Sequence, residues 1–276
     1  MKIEKRILFS KEDDADLLTF LLKNGISFKD NYLAVLEIYD DHPAWPVIEA
    51  YVKENDLLCL SETLFTKTEL DNADWLSVRS KWRNGYPQPE DAFEYQNITY
   101  TCANYCYECG CGLQQVQPFR FKKEPKWGNR YFMMLNWIED ELFVSAPAKE
   151  LLERSQFSGF YFSEVNDKKG NAPIPGIYQL VVTDLLSYGL NPNASSIDSI
   201  YLCPSCGIEK YHPTGIGRLE FKKDIFNNAP DIVKTSEVFG WGKGASHKIL
   251  IRNNVYSFLV ENHMDRNLVF EPISLV

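Results

Sequence analysis

Two short motifs, Cys106-Tyr107-Glu108-Cys109-Gly110 and Cys203-Pro204-Ser205-Cys206-Gly207, restrict what this chain can fold into more than any other feature. A C-x-x-C turn presents two thiolates on one side of a tight loop. Two such turns supply the four soft ligands of a tetrahedral zinc at about 2.3 Å. The glycine after each second cysteine accepts the positive φ that a sharp turn requires. Compact zinc ribbons separate their knuckles by roughly 15–20 residues, whereas here 93 residues, 110–202, intervene. A small finger is therefore excluded, and the metal has to join two distant parts of one fold. Four cysteines close the coordination shell and leave no position for an activated water, so the expected cofactor is a structural Zn²⁺, although the same donors also hold iron.

The segments C-terminal to the two knuckles share one order of parts. After the first come Phe119-Arg120-Phe121-Lys122-Lys123, Trp127-Gly128, Leu142 to Ser145, Ala148 to Leu152 and Phe160 to Phe162. After the second come Leu219-Glu220-Phe221-Lys222-Lys223, Trp241-Gly242, Ile249 to Arg252, Val255 to Leu259 and Leu268 to Phe270. Apolar positions 148, 151, 152 and 255, 258, 259 recur at i, i+3, i+4, the spacing of one buried helical stripe. Ser145 and Asn253 are the expected N-caps, and Pro147 suits a first turn. This order reads as an internal duplication, with repeat 1 at about 100–165 and repeat 2 at about 197–276. Each repeat is expected to be a knuckle, a strand ending in Lys-Lys, a Trp-Gly turn, a strand, a helix and a last strand, and to give two cysteines to one metal.

Two C-x-x-C-G motifs about a hundred residues apart, with the closing segment Val269-Phe270-Glu271-Pro272-Ile273, resemble the bacterial double-CxxCG motif proteins. The resemblance covers roughly residues 100–276. It implies a zinc-knuckle protein without a catalytic set, and for some members a role as an immunity protein that neutralises a polymorphic toxin. Only Cys106, Cys109, Cys203 and Cys206 carry over from it.

The first hundred residues lie outside that resemblance and hold most of the charge. They contain 11 Lys and Arg against 19 Asp and Glu, while residues 101–276 are nearly balanced at 18 against 19. Such acidity disfavours polyphosphate and favours cationic partners. Asp13, Asp14, Asp40 and Asp41 are the candidate partner contacts. Ile7-Leu8-Phe9 predicts a strand, Ser10 an N-cap, Leu17 to Leu22 a helix, Tyr32 to Tyr39 a strand, Pro46 to Val52 a helix and Leu57 to Phe65 a strand. Asn84-Gly85-Tyr86-Pro87-Gln88-Pro89 breaks regular structure. The predicted architecture is therefore α+β, an acidic α/β domain at 1–90 followed by the duplicated zinc-binding domain at 91–276.

Seven cysteines are an odd count, and the C-x-x-C spacing favours thiolate metal binding over a disulfide framework. With no run of eighteen apolar residues and no apolar signal core at Met1 to Arg6, the expectation is a cytoplasmic chain away from membranes. Cys102, Cys111 and His212 lie near the knuckles as alternative ligands, and Cys59 reads as a small core residue. The stretch 118–130 offers a nucleic-acid alternative through Arg120, Lys122, Lys123, Lys126, Trp127 and Arg130. Period-two alternation, with Phe119 and Phe121 turned inward, explains the same pattern more simply. The four histidines sit in no nucleophile or H-E-x-x-H context, and Gly240 to Gly244 lacks phosphate-loop spacing. The predicted function is non-enzymatic partner binding.

Overall fold

Ile7 and Phe9, two residues apart, share one face of a strand and are buried together with Leu17 and Leu21 of the next helix. The computed structural model describes residues 1–276, and in it this first cluster belongs to a unit formed by Met1–Glu69 with Thr214–Gly217. Its elements are β1 (Lys2–Phe9), α1 (Ala15–Lys23), β2 (Ala34–Tyr39), α2 (Trp45–Glu54) and β3 (Cys59–Leu64). The three strands form an antiparallel sheet in the order β2-β1-β3. Ile48 and Val52 of α2 and the i, i+4 pair Leu17 and Leu21 of α1 enter the same core. Ser10 does not cap α1. Its N–H donates to the Asp14 carboxylate at 2.8 Å and its carbonyl accepts the Asp14 N–H, so residues 10–14 close a separate turn and the helix starts at Ala15.

The second unit comprises Leu70–Pro213 and Arg218–Val276. After the short helix α3 (Lys67–Asp71), which straddles the division, come β4 (Trp75–Ser80), α4 (Tyr95–Thr99), β5 (Tyr100–Thr101), β6 (Gln114–Gln115), β7 (Arg120–Phe121), β8 (Phe132–Met133) and β9 (Leu142–Ser145). Next are α5 (Ala146–Arg154), β10 (Phe160–Asp167), β11 (Pro173–Val182), β12 (Ile197–Leu202), β13 (Glu209–Pro213) and β14 (Glu220–Phe221). The chain ends with β15 (Ile232–Lys234), β16 (Val238–Phe239), β17 (Ile249–Arg252), α6 (Asn253–Glu261), β18 (Leu268–Pro272) and β19 (Ser274–Leu275). The molecule is thus mixed α+β.

Two sheets of this unit are laid out alike. One has the order β8-β9-β11-β10-β7 and the other β15-β17-β4-β18. In each, an edge strand pairs antiparallel with a strand that leads directly into a helix, and the strand after that helix lies two positions further on, with one strand between. The strand between is antiparallel to both neighbours. It is β11, which comes after β10, in the first sheet, and β4, which precedes everything else, in the second. The Phe-Lys-Lys strands also correspond, since β7 pairs parallel with β10 and β14 parallel with β19. The Trp-Gly turns do not correspond. Trp127-Gly128 precedes the edge strand β8, whereas Trp241-Gly242 lies after its counterpart β15.

β4 explains why the chain passes from one unit to the other at Glu69–Leu70. Its residues pair with β17 and β18, and Trp75, Leu76 and Val78 are buried there. The Asn84 to Pro89 break therefore lies inside the second unit. Helices α5 and α6 bury Ala148, Leu152, Val255 and Leu259 into one core with Leu76, Leu142 and Ile251. Ser145 caps α5, accepting the Ala148 N–H at 3.4 Å, with Pro147 in the first turn. Asn253 is not the cap of α6. Arg252 holds that position, and the Asn253 amide instead donates to the carbonyls of Leu70, Asp71 and Ala73, tying α6 to the segment before β4.

A polar knot is buried in this unit. Lys234 reaches Glu141 at 2.6 Å and Asp140 at 3.8 Å. Gln179 donates to the other Glu141 oxygen at 2.9 Å and exchanges hydrogen bonds with Gln115. Burial raises the Glu141 carboxyl, with the Lys234 ammonium opposing. Burial pulls Lys234 down, but the Asp140 and Glu141 carboxylates outweigh it and hold the amine above its usual range. Removing one partner strands a buried charge, so Glu141→Ala is expected to cost about 3–5 kcal/mol in urea unfolding, whereas the double change Glu141→Leu with Lys234→Met is expected to be near neutral. Equal losses in the single and double variants would contradict this account.

Candidate metal centre

Each knuckle is shaped by its own backbone. The Gly110 N–H donates to the Cys106 carbonyl at 2.8 Å and the Cys106 N–H to the Cys111 carbonyl at 2.8 Å. The second knuckle repeats this, with Gly207 to Cys203 at 2.9 Å and Cys203 to Ile208 at 3.0 Å. Gly110 and Gly207 have φ of +80° and +71°, a region in which a side chain is disfavoured. At Gly110 there is a second reason for glycine, because a Cβ would lie 2.0 Å from the Lys243 carbonyl oxygen, whereas nothing stands within 4 Å of a Cβ at Gly207.

The turns meet with corresponding cysteines face to face. Sγ of Cys106 and Cys203 are 3.7 Å apart, and Sγ of Cys109 and Cys206 are 3.5 Å apart. All four sulfurs lie within 4.8 Å of one another. A tetrahedral site with metal–sulfur bonds of about 2.3 Å has edges of about 3.8 Å, so this donor set fits a four-thiolate metal. The separations are too long for a disulfide, whose S–S bond is about 2.05 Å, and all seven cysteines are free thiols. Cys106, Cys109 and Cys203 are buried and Cys206 is exposed.

Electrostatics around the sulfurs are uneven. The backbone N–H groups of Cys109 and Glu108 pull the Cys106 thiol down to about 7. Burial pushes Cys109 up to about 12. Metal uptake has to displace protons from such thiols, so acid opposes binding. Two neighbours support the centre. Glu108, between the first two cysteines, accepts from Tyr201 Oη at 2.9 Å and from Ser205 Oγ, a residue of the other knuckle. The Glu108 carboxylate is held below its ordinary range by Ser205 first and Tyr201 second. Lys210 is 1% exposed, and its ammonium donates to the carbonyls of Cys109 at 2.8 Å, Gly244 at 3.1 Å and Gly242. Four thiolates around a divalent ion carry two net negative charges, and a buried cation beside them offsets part of that cost.

The alternative ligands point elsewhere. Cys102 donates to the Asn97 side chain at 3.6 Å. His212 stacks on Trp241 at 4.0 Å and meets Ser199 Oγ through Nδ1 at 2.9 Å. Cys111 is buried against the cluster but is not among its four close sulfurs, and burial raises its thiol. Lys210 was not legible as a supporting residue, since nothing in a Glu-Lys-Tyr-His strand distinguishes a buried lysine from the usual exposed one.

In the basic stretch, Phe119 and Phe121 are buried in an aromatic core with Phe143. Lys122, Lys123 and Lys126 are exposed and Arg120 and Trp127 half-buried, while Arg130 lies over the Trp82 ring at 4.5 Å. The phenylalanines therefore offer no free face for base stacking. Of the acidic candidates, Asp14 is buried and accepts from Tyr51 at 3.3 Å, Asp41 pairs with Lys2 at 3.2 Å, Asp13 is exposed and Asp40 half-buried. Asp14 is thus a structural acceptor rather than a surface contact. No helix is long and apolar enough to cross a membrane. No family model and no curated protein matches the chain.

The two glycines separate local strain from crowding. Gly207→Ala is expected to cost about 1–2 kcal/mol and to keep the metal, whereas Gly110→Ala is expected to displace the Lys243 carbonyl and lower metal content in elemental analysis of purified protein. Equal metal content in the two variants would show that the Lys243 contact does not govern the site.

Proposed function

We propose that the chain is a non-enzymatic, zinc-fastened binding protein of the immunity type, which captures and blocks a toxin domain in the bacterial cytoplasm. The observation that carries the metal part is the convergence of Cys106, Cys109, Cys203 and Cys206 into one tetrahedral-sized set. Four cysteines saturate zinc and leave no open position for water activation, so the ion would act on folding. Cys106 and Cys203 would hold it from corresponding places in two like-built halves, and Glu108 and Lys210 would orient and balance the set. The parallel layout of the two sheets supports an origin by duplication, with β11 and β4 filling the same place, one from after its sheet's other strands in the chain and one from before them. The partner-binding part rests on the resemblance to double-CxxCG proteins and on the excess of carboxylates in the first hundred residues.

Two experiments test the two parts separately. Elemental analysis with native mass is expected to give one zinc per chain, lost in Cys106→Ser and Cys203→Ser together with cooperative thermal unfolding, because metal-binding energy of about 10–16 kcal/mol in comparable sites is folding energy. Wild-type melting in those variants would exclude a structural metal. Co-expression with the products of adjacent genes, then affinity capture on the metal-loaded protein, is expected to retrieve one toxin domain and suppress its toxicity. A neighbourhood without a toxin, or toxicity that persists despite capture, would overturn the immunity reading and leave the metal result standing.

A further inference from the structure

Three aromatic rings lie together on the surface of the second unit. Trp137 packs against Tyr86 and Phe93, each with ring centroids 4.5 Å away, and over the buried Tyr95 at 6.0 Å and 20°. Tyr86, Phe93 and Trp137 are 40%, 50% and 42% exposed. Hydrophobic burial does not account for that exposure, and the backbone works against it. Phe93 and Trp137 have φ of +59° and +70°, and Ala92, which turns the chain into Phe93, has φ of +46°. Three side-chain-bearing residues in the left-handed region within one small patch mark a place where the surrounding structure holds an unfavourable conformation. Such places concentrate at binding sites.

The segments that carry the rings bear charge of one sign. Segments 86–94 and 136–141, which carry them, contain Glu90, Asp91, Glu94, Glu139, Asp140 and Glu141 and no Lys or Arg. Glu141 is committed to Lys234 at 2.6 Å, Glu139 to Arg83 at 2.5 Å and Glu90 to Lys122 at 3.9 Å. Asp91 and Glu94 are exposed and have no cation within ion-pair distance. A half-exposed aromatic surface beside free carboxylates suits a cation that is weakly hydrated, planar and able to stack, which describes guanidinium better than ammonium. Phosphate backbones would be repelled. The surface is open rather than a closed pocket, which suits a side chain carried on a protein better than a small free ligand.

We infer that Tyr86, Phe93 and Trp137, with Asp91 and Glu94, form a docking surface for an arginine-bearing segment of a protein partner. The inference rests on the partner-binding function proposed above and gives it a location within the second unit. The guanidinium stacks on the Trp137 and Phe93 faces and pairs with the two carboxylates.

The probe is the peptide acetyl-Gly-Arg-Gly-Arg-Gly-amide, with its lysine counterpart as control, titrated into metal-loaded full-length protein. The readout is the Trp137 indole N–H resonance, assigned by its loss in Trp137→Phe. The arginine peptide is expected to bind about tenfold more tightly than the lysine peptide. Trp137→Ala is expected to weaken it about threefold to fivefold, the size of a cation–π contact at an exposed site. Asp91→Asn with Glu94→Gln changes only exposed side chains and is expected to weaken it similarly, while Asp40→Asn with Asp41→Asn leaves it unchanged. Thermal melting confirms that each variant folds. Equal binding of the two peptides, or binding indifferent to both Trp137→Ala and the Asp91/Glu94 pair, would overturn the inference. So would capture of a toxin domain that is indifferent to Trp137→Ala, an outcome that leaves the immunity reading intact. The expected peptide pattern without any toxin partner would instead retain this surface and discard the immunity reading.

Discussion

Four thiols held within 4.8 Å of one another are an unstable arrangement without a cation. Ionised, they repel; protonated, they are weak donors that gain little from one another. The second unit nevertheless commits backbone to this meeting from two turns separated by 93 residues, and each turn closes with the same pair of internal hydrogen bonds. A divalent soft metal removes the conflict. The buried Lys210 ammonium, which donates to the carbonyls of Cys109 and Gly244, lies beside this set and would offset part of its charge. A metal held there would join regions that are remote in sequence and so reduce the chain entropy of a body with many long-range pairings.

Around that centre, the second unit is two variations on one sheet. In both, a strand, a helix and a further strand leave a gap that another strand fills, and in both the filler is antiparallel to its neighbours. The first half takes β11 from the chain just after it, and the second takes β4 from well before it in the sequence. That borrowing makes the C-terminal half dependent on residues 75–80. The Glu141–Lys234 knot further couples segments 93 residues apart, through charges that are expensive to bury singly and tolerable as a hydrogen-bonded group. Functional surface is then available where this architecture holds side chains against their preference, as at Phe93 and Trp137.

Local features were the legible ones. The knuckles were visible because their geometry is set within five residues, and the buried stripes of α5 and α6 because 3.6-residue periodicity shows in any window. Alternation placed Phe119 and Phe121 inside. Caps were legible only where the side chain had no competing partner: Ser145 caps its helix, while Asn253 is drawn to three carbonyls before β4 and Ser10 is drawn into a turn with Asp14. The Trp-Gly pairs match in sequence yet occupy different places, because two-residue similarity carries no topology. Lys210 and the Tyr86–Phe93–Trp137 surface left no trace, since burial of a lysine and exposure of aromatics arise from what distant segments put beside them.

The sequence by itself marked which four cysteines meet, the mixed α+β character and the helical faces, all of which arise from spacing that the chain carries locally. Tertiary structure alone decided which strand completes each sheet, that the cysteines pair as 106 with 203 and 109 with 206, and which charges are buried. Most of those outcomes join segments far apart in the chain, such as β4 with β18 and the two knuckles, where pairing is chosen by the packing of the whole unit and no local pattern records the choice.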